Sequence, residues 1–235
     1  MTTLLLLRHG RTPANVGAVL AGWTPDVHLD EVGEKQAAAL AERLRPVPLA
    51  ALVASPLDRC QETAARVAAG RDGLIVRTDA RLGEVRYGDW TGRPLKDLTK
   101  EAMWKVVQQH PSAAVFPGDA GERMADMQSR AVAAVRETNA ALDDNVVYAV
   151  CSHGDVIKAI LADALGMHLD LFQRIVVDPC SVSVVQYTET RPFVVRVNDT
   201  GGDVQALIPP KRRRRRKASS DAVVGGGAGA SSGNE

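Results

Sequence analysis

The sequence has few cysteines and no long apolar segment. Its three cysteines are Cys60, Cys151 and Cys180, which lie far apart and form no CxxC pair. This usage is typical of reduced, mostly buried thiols, so we expect a cytoplasmic protein. No apolar run approaches the roughly 18 residues of a membrane-spanning helix. The N-terminus has no basic region before its four leucines at 4–7, so the sequence predicts no secretory signal.

The composition is that of an ordinary globular protein, but its charge is unevenly distributed. Of the 235 residues, 45% are apolar and 24% are charged, which suits one well-buried domain. The net charge of +1 averages two regions, because Lys211–Lys217 contains seven basic residues in a row. The whole chain has 29 basic and 28 acidic residues, and the segment 211–235 holds seven of the basic and two of the acidic ones. Residues 1–210 therefore carry a net charge of −4.

The C-terminal region predicts a disordered tail. The basic run at 211–217 is followed by the polar and small-residue sequence ASSDAVVGGGAGASSGNE, which cannot bury enough apolar surface to fold. We therefore expect a folded domain over 1–200 and a tail over 201–235. Seven positive charges can neutralise the phosphates of nucleic acid or an anionic membrane surface. Because no aromatic residues are interleaved, such binding would be nonspecific and salt-sensitive. The alternative is a solvated extension without a partner.

Apolar runs and helical patterns alternate along the rest of the chain. The pattern predicts strands at 3–8, 49–54, 74–77, 146–151, 182–187 and 193–197. It predicts helices over 31–45 with Asp30 as cap, from Ser55-Pro56 to about Ala69, over 98–109, from about 121 to Leu142, and over 155–165. This alternation indicates an α/β fold, a three-layer α/β/α sandwich with a mainly parallel central sheet. The last two strands predict a hairpin, and pairing of 193–197 with a second copy would give a dimer.

Two His-Gly pairs each follow a buried strand. Arg8-His9-Gly10 comes directly after Leu4–Leu7, and His153-Gly154 comes after the apolar run at 146–151. Open α/β sheets bind ligands at the carboxyl ends of their strands. We therefore expect the two imidazoles to meet in one pocket.

Five segments carry a more specific signal. They are Arg8–Asn15 (RHGRTPAN), Leu29–Ala37 (LDEVGEKQA), Ser55–Ala64 (SPLDRCQETA), Leu82–Gly92 (LGEVRYGDWTG) and Ser152–Gly154 (SHG). In this order they resemble the signatures of the histidine phosphatase superfamily, the phosphoglycerate-mutase-like proteins. The resemblance covers residues 3 to about 197. It implies the phosphoglycerate-mutase-like form of the α/β/α sandwich and chemistry on a small phosphorylated metabolite.

The residue types suit phosphoryl transfer, which requires a nucleophile and positive charge around the transferred group. A neutral His9 can attack phosphorus and form a phosphohistidine. Arg8 and Arg59 offer planar, permanently charged forks for bidentate phosphate contacts. His153 can donate to a phosphoryl oxygen as it gains charge. These cationic groups supply the electrostatic stabilisation, so we expect neither a metal nor a cofactor.

The resemblance assigns two further roles. It implies that Asn15 contacts the phosphoryl group. It also makes Glu84 the proton donor to the leaving alkoxide and then the base that activates water, which requires a pKa raised toward neutrality. Glu62 and Asp89 are nearby alternative carboxylates for this role.

Each of these residues also has a structural explanation when it is taken alone. His9 could be a hydrogen-bonded histidine at a strand end, and Arg59 a solvated helix residue. Asp26-x-His28-x-Asp30 could be imagined as a metal site, but loop polarity and helix capping explain it better. We expect His110 and His168 on the surface. We interpret the tryptophans as packing residues or pocket walls: Trp23, Trp90 and Trp104.

The interval between Glu84 and His153 bears on the type of reaction. Cofactor-dependent phosphoglycerate mutases carry a substantial insert with paired arginines there, and this interval has neither. The loop at 115–127 looks like the P-G-G-E-S-x-x-D loop of phosphatase-like members, with Arg123 in place of the serine. We therefore predict hydrolysis of a phosphomonoester. The alternatives are a phosphomutase, and a phosphate-binding protein without activity that is tethered by its basic tail.

Overall fold

A computed structural model describes residues 1–201 and Gly225 of the chain. The strands are β1 (Thr2–Arg8), β2 (Leu49–Ala54), β3 (Val76–Thr78), β4 (Val146–Ser152), β5 (Val182–Tyr187) and β6 (Pro192–Asp199). The helices are α1 (Pro13–Val16), α2 (Glu31–Leu44), α3 (Asp58–Ala68), α4 (Leu95–Leu98), α5 (Ala102–Gln109), α6 (Met124–Ala141) and α7 (Gly154–Ala164). Apart from Gly201 and Gly225, the tail predicted over 201–235 lies outside the described residues.

The six strands form one sheet in the order β3-β2-β4-β1-β5-β6. Strands β1 to β4 run parallel to one another, whereas β5 lies antiparallel to both of its neighbours, β1 and β6. The predicted mainly parallel sheet and late hairpin are therefore confirmed. Strand β1 lies inside the sheet, between β4 and β5, where both of its faces are covered. This position explains its continuous run of leucines.

Two apolar cores lie on opposite faces of the sheet. Along β1, Leu4 and Leu6 point into one core, and Leu5 and Leu7 point into the other, because successive strand residues alternate between faces. The first core is packed mainly by α5, α6 and α7, and the second by α2 and α3. The helices on the two faces complete the predicted three-layer sandwich.

The start of α2 packs tightly against the loop that follows β1. Asp30 caps α2 by accepting the backbone N–H of Gly33 at 2.7 Å, as predicted. A Cβ atom at Gly33 would lie only 2.0 Å from the carbonyl oxygen of Arg11. Only glycine allows this close approach, which fixes the loop carrying His9 and Gly10 against the helix.

Two predicted helices differ from the structure. Helix α3 begins at Asp58 and its cap residue, Leu57, makes no side-chain hydrogen bond, so the prediction that Ser55 starts this helix is wrong. The Ser55 hydroxyl faces His153 instead. The helix predicted over 98–109 begins only at Ala102, as α5, and the separate short helix α4 ends at Leu98. At the break, the Thr99 hydroxyl donates to the carbonyl of Lys96 at 2.8 Å, a local bond that competes with helix continuation.

Strand β6 is an edge strand with exposed apolar side chains on alternate residues: Phe193, Val195 and Val197. Pairing of this edge with a second copy stays a prediction. Among the described residues, no helix is long and apolar enough to cross a membrane.

Candidate active site

The two His-Gly turns lie side by side because β1 and β4 are parallel neighbours in register. Arg8 pairs with Ser152, and the next backbone N–H, that of His9, donates to the carbonyl of Ser152 at 3.0 Å. The rings of His9 and His153 consequently lie with their centroids 5.2 Å apart. The predicted meeting of the two imidazoles is confirmed.

The ring of His9 is held with one nitrogen available. Its Nδ1 lies 2.7 Å from the carbonyl oxygen of Gly10, which can only accept, so Nδ1 carries the proton. The lone pair of the neutral ring is therefore on Nε2. Burial, together with the charges of Arg59 and Arg8, lowers the pKa of His9 well below its usual value. His9 is thus neutral at physiological pH, as a nucleophile requires.

The second histidine is oriented by two side chains from the other half of the site. Its Nε2 lies 2.8 Å from Oγ of Ser55 and 3.4 Å from Sγ of Cys60. Ser55 Oγ accepts the N–H of Leu57 at 3.3 Å, so its own proton is free to be donated to Nε2. The proton of a neutral His153 ring then lies on Nδ1, at 4.0 Å from Oε2 of Glu84. Burial is the main cause that lowers the pKa of His153, followed by Arg59.

Arg8 and Arg59 are buried with part of their donors unpaired. Arg8 Nη1 donates to the carbonyl of Val177 at 2.7 Å, and Arg59 Nη2 donates to the carbonyl of Gly22 at 2.9 Å. Within the described part of the chain, Arg8 Nε, Arg8 Nη2 and Arg59 Nη1 are buried without a hydrogen-bond partner. Buried charged donors are rarely left unpaired. Their number and charge fit the oxygens of a phosphoryl group.

Glu84 is the buried carboxyl group of the site. Its side chain is enclosed, with Oε1 accepting the N–H of Val85 at 3.0 Å. Burial raises the pKa of Glu84 to about 7, and the charge of Asp155 adds to this effect while Arg59 opposes it. A carboxyl group with this pKa can hold or release a proton near neutrality, which is what acid and base catalysis require.

The comparisons with known proteins agree with this geometry. The family model described as the histidine phosphatase superfamily (branch 1) matches residues 4–200. The chain belongs to this superfamily. A probable phosphoglycerate mutase GpmB from Yersinia enterocolitica is 32% identical over 197 residues, which cover 81% of this chain and 87% of that protein.

Solved structures of the superfamily have the same fold. YhfR from Bacillus stearothermophilus is 30% identical with a TM-score of 0.77, over 85% of this chain and 98% of that one. A mycobacterial glucosyl-3-phosphoglycerate phosphatase is 28% identical with a TM-score of 0.74, over 84% of this chain and 98% of that one. The relatives are thus named as mutases and as phosphatases, and this member of the superfamily is an enzyme.

The backbone next to Glu84 is held by Arg130, for which the sequence predicts no role, and by Trp23, which it predicts as a packing residue or pocket wall. Arg130 of α6 donates to the carbonyls of Gly83 at 2.8 Å and Glu84 at 3.0 Å. Glu122 pairs with the same guanidinium at 2.6 Å. Trp23 Nε1 donates to the Glu84 carbonyl at 2.6 Å. No local pattern marks Arg130, because its partners come from distant parts of the chain.

A second missed group lies next to His153. Asp155, in the first turn of α7, is buried and accepts the hydroxyl of Tyr87 at 3.0 Å. Lys158 Nζ lies 3.5 Å from the other carboxylate oxygen. The Asp155 side chain therefore joins α7 to the loop that contains Glu84.

Asn15 has a structural contact in the loop after His9. Its Oδ1 accepts both the backbone N–H and the hydroxyl of Thr12 at 3.0 Å. The backbone N–H of Asn15 donates in turn to the hydroxyl oxygen of Thr12. This capping box holds the loop after His9. A contact between Asn15 and a phosphoryl group stays a prediction.

The alternative carboxylates have other partners. Glu62 accepts from the Leu29 N–H at 2.9 Å and lies 2.6 Å from His28 Nδ1, in an exposed ion pair. Asp89 packs against Gly118: its Oδ1 lies only 2.2 Å from the position that a Cβ atom on Gly118 would take. Neither contact involves a residue of the buried pocket, so Glu84 fits the acid and base role best.

The structure does not bring together the three residues considered above as a metal site, Asp26, His28 and Asp30. Asp30 caps α2 and pairs with Arg11 at 2.8 Å. Asp26, His28 and Asp58 instead each bring a potential ligand atom to within 4.8 Å of the others, at the surface, where acidic groups commonly occur without an ion.

The remaining predictions for single residues agree with the structure. His110 and His168 are exposed. Trp90 and Trp104 pack together in the first core, and the Trp23 ring lies under the guanidinium of Arg86 at 4.1 Å. The cysteines are buried and free: Cys60, Cys151 and Cys180.

Proposed function

We propose that this enzyme hydrolyses small phosphomonoesters through a covalent phosphohistidine at His9. The observation that carries the proposal is the state of the His9 ring: Nδ1 donates to Gly10, so the lone pair on Nε2 is left beside unpaired guanidinium donors. A neutral nucleophile next to fixed positive charge suits attack on a phosphate dianion.

In the first step, Arg8, Arg59 and His153 bind the phosphoryl oxygens. Nε2 of His9 attacks phosphorus, and the bond from phosphorus to the ester oxygen breaks. Glu84 gives its proton to the leaving oxygen, which departs as a neutral alcohol. This direction requires Glu84 to be protonated, which its pKa of about 7 allows.

In the second step, the Glu84 carboxylate takes a proton from water, and the oxygen of that water attacks phosphorus. The nitrogen–phosphorus bond breaks and inorganic phosphate leaves. His9 is again neutral and Glu84 is again protonated, so the cycle closes without any other reactant.

Water is favoured over a second substrate as phosphoryl acceptor by the segment between Glu84 and His153. That segment has no paired arginines for a bisphosphorylated substrate. Its loop is held close to the Glu84 region, since Glu122 accepts the N–H of Arg86 at 2.8 Å and pairs with Arg130. The relative named as a phosphoglycerate mutase favours the second candidate, phosphoryl transfer to a substrate hydroxyl.

Phosphorus NMR separates the two candidates. The enzyme is incubated with 3-phosphoglycerate and with a panel of sugar and alcohol phosphomonoesters. Hydrolysis predicts inorganic phosphate as the main product from at least one ester. Rapid isomerisation of 3-phosphoglycerate with little free phosphate would establish the mutase instead. Tight binding of these esters without any turnover would contradict both candidates.

A further inference from the structure

The guanidinium of Arg8 is held by the loop that precedes β5. Arg8 Nη1 donates to the carbonyl of Val177 at 2.7 Å. The main chain of Arg8 contacts the same loop, because its carbonyl accepts the N–H of Cys180 at 3.1 Å and its N–H donates to the carbonyl of Ser181 at 3.3 Å. We call residues 177–181 the Arg8 loop. The place of its Val177 carbonyl fixes one corner of the guanidinium, and with it the direction of the unpaired Nε and Nη2 donors.

The Arg8 loop is closed by a turn that begins at Asp178. The N–H of Ser181 donates to the carbonyl of Asp178 at 3.0 Å, and Cys180 inside the turn has a φ of +55°. Asp178 directly follows Val177 in the sequence. This one residue therefore joins the part of the loop that holds the Arg8 side chain to the part that holds its main chain.

Asn198 of β6 holds Asp178 with both atoms of its side-chain amide. Its Oδ1 accepts the backbone N–H of Asp178 at 2.6 Å, and its Nδ2 donates to Oδ2 of the same residue at 2.9 Å. The backbone N–H of Asn198 donates to Oγ of Ser183 in β5 at 3.0 Å. Asn198 thus connects the Arg8 loop to the sheet.

The backbone of β6 is irregular where Asn198 lies. The register with β5 shifts there, so that β6 has one extra residue between Arg196 and Asp199. Asn198 lies in this bulge with a φ of +56°, a left-handed conformation that few residues other than glycine and asparagine adopt readily. Bulges at sheet edges commonly redirect a side chain, and they are frequent next to active sites. Here the side chain in the bulge reaches Asp178.

Asp178 also supplies charge to the phosphate side of the pocket. Burial lowers the pKa of Arg8, and the negative charges of Glu84 and Asp178 oppose this effect. Asp178 therefore stabilises the guanidinium as a cation. Because Asn198 donates to the Asp178 carboxylate without a charge of its own, it fixes this carboxylate and leaves its charge in place.

We propose that Asn198 is a positioning residue of the phosphate site, which holds Asp178 and Val177 from β6 and through them directs the donors of Arg8. The proposal rests on the proposed function only in taking Arg8 as a ligand of the phosphoryl group. A bidentate fork binds well only when supporting hydrogen bonds fix its direction, since a small displacement loses contacts.

Glycine substitutions at two asparagines test this role. Asn198→Gly removes the amide and keeps a residue that adopts positive φ without strain. Asn145→Gly is the matched control, because Asn145 has a φ of +60° in the exposed turn before β4, away from the carboxyl ends of the strands. Calorimetric titration with inorganic phosphate measures the site and does not depend on turnover. Thermal unfolding curves set a temperature at which both variants are folded.

We expect the dissociation constant for phosphate to rise about tenfold in Asn198→Gly, the scale of one weakened hydrogen bond to a charged group. It should stay unchanged in Asn145→Gly. Equal dissociation constants for the natural chain and Asn198→Gly would overturn the proposal, and so would an equal loss of affinity in both variants. If the expected difference is found without phosphate release from any ester, the positioning role stands and the hydrolase proposal fails.

A double-mutant cycle shows whether Asn198 acts through Arg8. Arg8→Met removes the guanidinium and keeps a long side chain. In this background Asn198→Gly should no longer change the dissociation constant for phosphate, because no fork is left to position. The same loss of affinity in both backgrounds would contradict the proposal. The comparison of the two glycine variants does not depend on the Arg8→Met protein.

Discussion

The Oγ atom of Ser55 lies 2.8 Å from Nε2 of His153, although the two residues are far apart in the sequence. The contact forms because β2, which Ser55 follows, is the parallel neighbour of β4, which precedes His153. With Ser55 as the donor, the proton of a neutral His153 ring lies on Nδ1. We infer that Ser55 is a positioning residue for the second histidine.

Replacing Ser55 should impair turnover more than folding. In Ser55→Ala, His153 loses the donor that keeps its proton on Nδ1, so we expect kcat/KM to fall about tenfold, the scale of a lost positioning hydrogen bond. Steady-state kinetics and a thermal unfolding curve measure the two effects. Ser129→Ala, at an exposed position of α6, is the control. Unchanged kcat/KM in Ser55→Ala would show that this bond has no catalytic role.

The raised pKa of Glu84 predicts a pH dependence. As the pH rises through about 7, Glu84 loses the proton that the leaving oxygen needs, so kcat/KM for an alkyl phosphate should fall above that pH. His9 is neutral throughout this range, since its pKa is lowered. Glu84→Gln should remove this limb of the profile and lower the rate for alkyl esters by about 10² to 10⁴. A variant that keeps the limb would assign the proton to another group.

The close approach of Gly33 to Arg11 predicts a cost in stability. In Gly33→Ala the added methyl group would lie 2.0 Å from the carbonyl oxygen of Arg11, so the loop after His9 must shift. We expect a loss of about 1–3 kcal/mol in the free energy of unfolding, together with lower activity. Denaturant unfolding measures the first quantity. Ala38→Gly, at an exposed position of the same helix, should cost about 1 kcal/mol and leave activity intact. If both variants kept full activity, the loop would not depend on this contact.

The basic run at 211–217 predicts nonspecific contact with polyanions. The full chain should bind duplex DNA or anionic vesicles with an affinity that falls steeply with salt, because each neutralised phosphate releases counterions. A chain ending at Thr200 keeps every described strand and helix and should not bind. Replacing the five arginines at 212–216 by glutamine in the full chain is the matched control for charge. Equal binding by the full and the shortened chain would exclude this role for the run.

Patterns along β1 and β4 were enough to predict that the two histidines meet. Continuous apolar runs identify buried parallel strands, and the carboxyl ends of adjacent parallel strands share one edge of the sheet. Asp30 was likewise predicted as a cap, because its partner, Gly33, is only three residues away. Features of this kind depend on short-range rules.

Ser55 and Arg130 show where such rules end. Ser-Pro is a good local signal for a helix start, but the Ser55 hydroxyl lies against His153, which only the folded sheet brings near. Arg130 looks like any helix residue, and its acceptors at Gly83 and Glu84 are more than forty residues away in the sequence. Each of these contacts depends on tertiary packing.

The central claim is that Nε2 of His9 accepts the phosphoryl group. The enzyme is mixed with an ester labelled at phosphorus, and the reaction is stopped rapidly without acid. Mass spectrometry of the peptides then locates the covalent phosphate. We predict one phosphohistidine, at His9, that disappears as inorganic phosphate is released and is absent from His9→Ala, which should also be inactive. A His9→Ala protein that retains turnover or traps phosphate elsewhere would contradict the account.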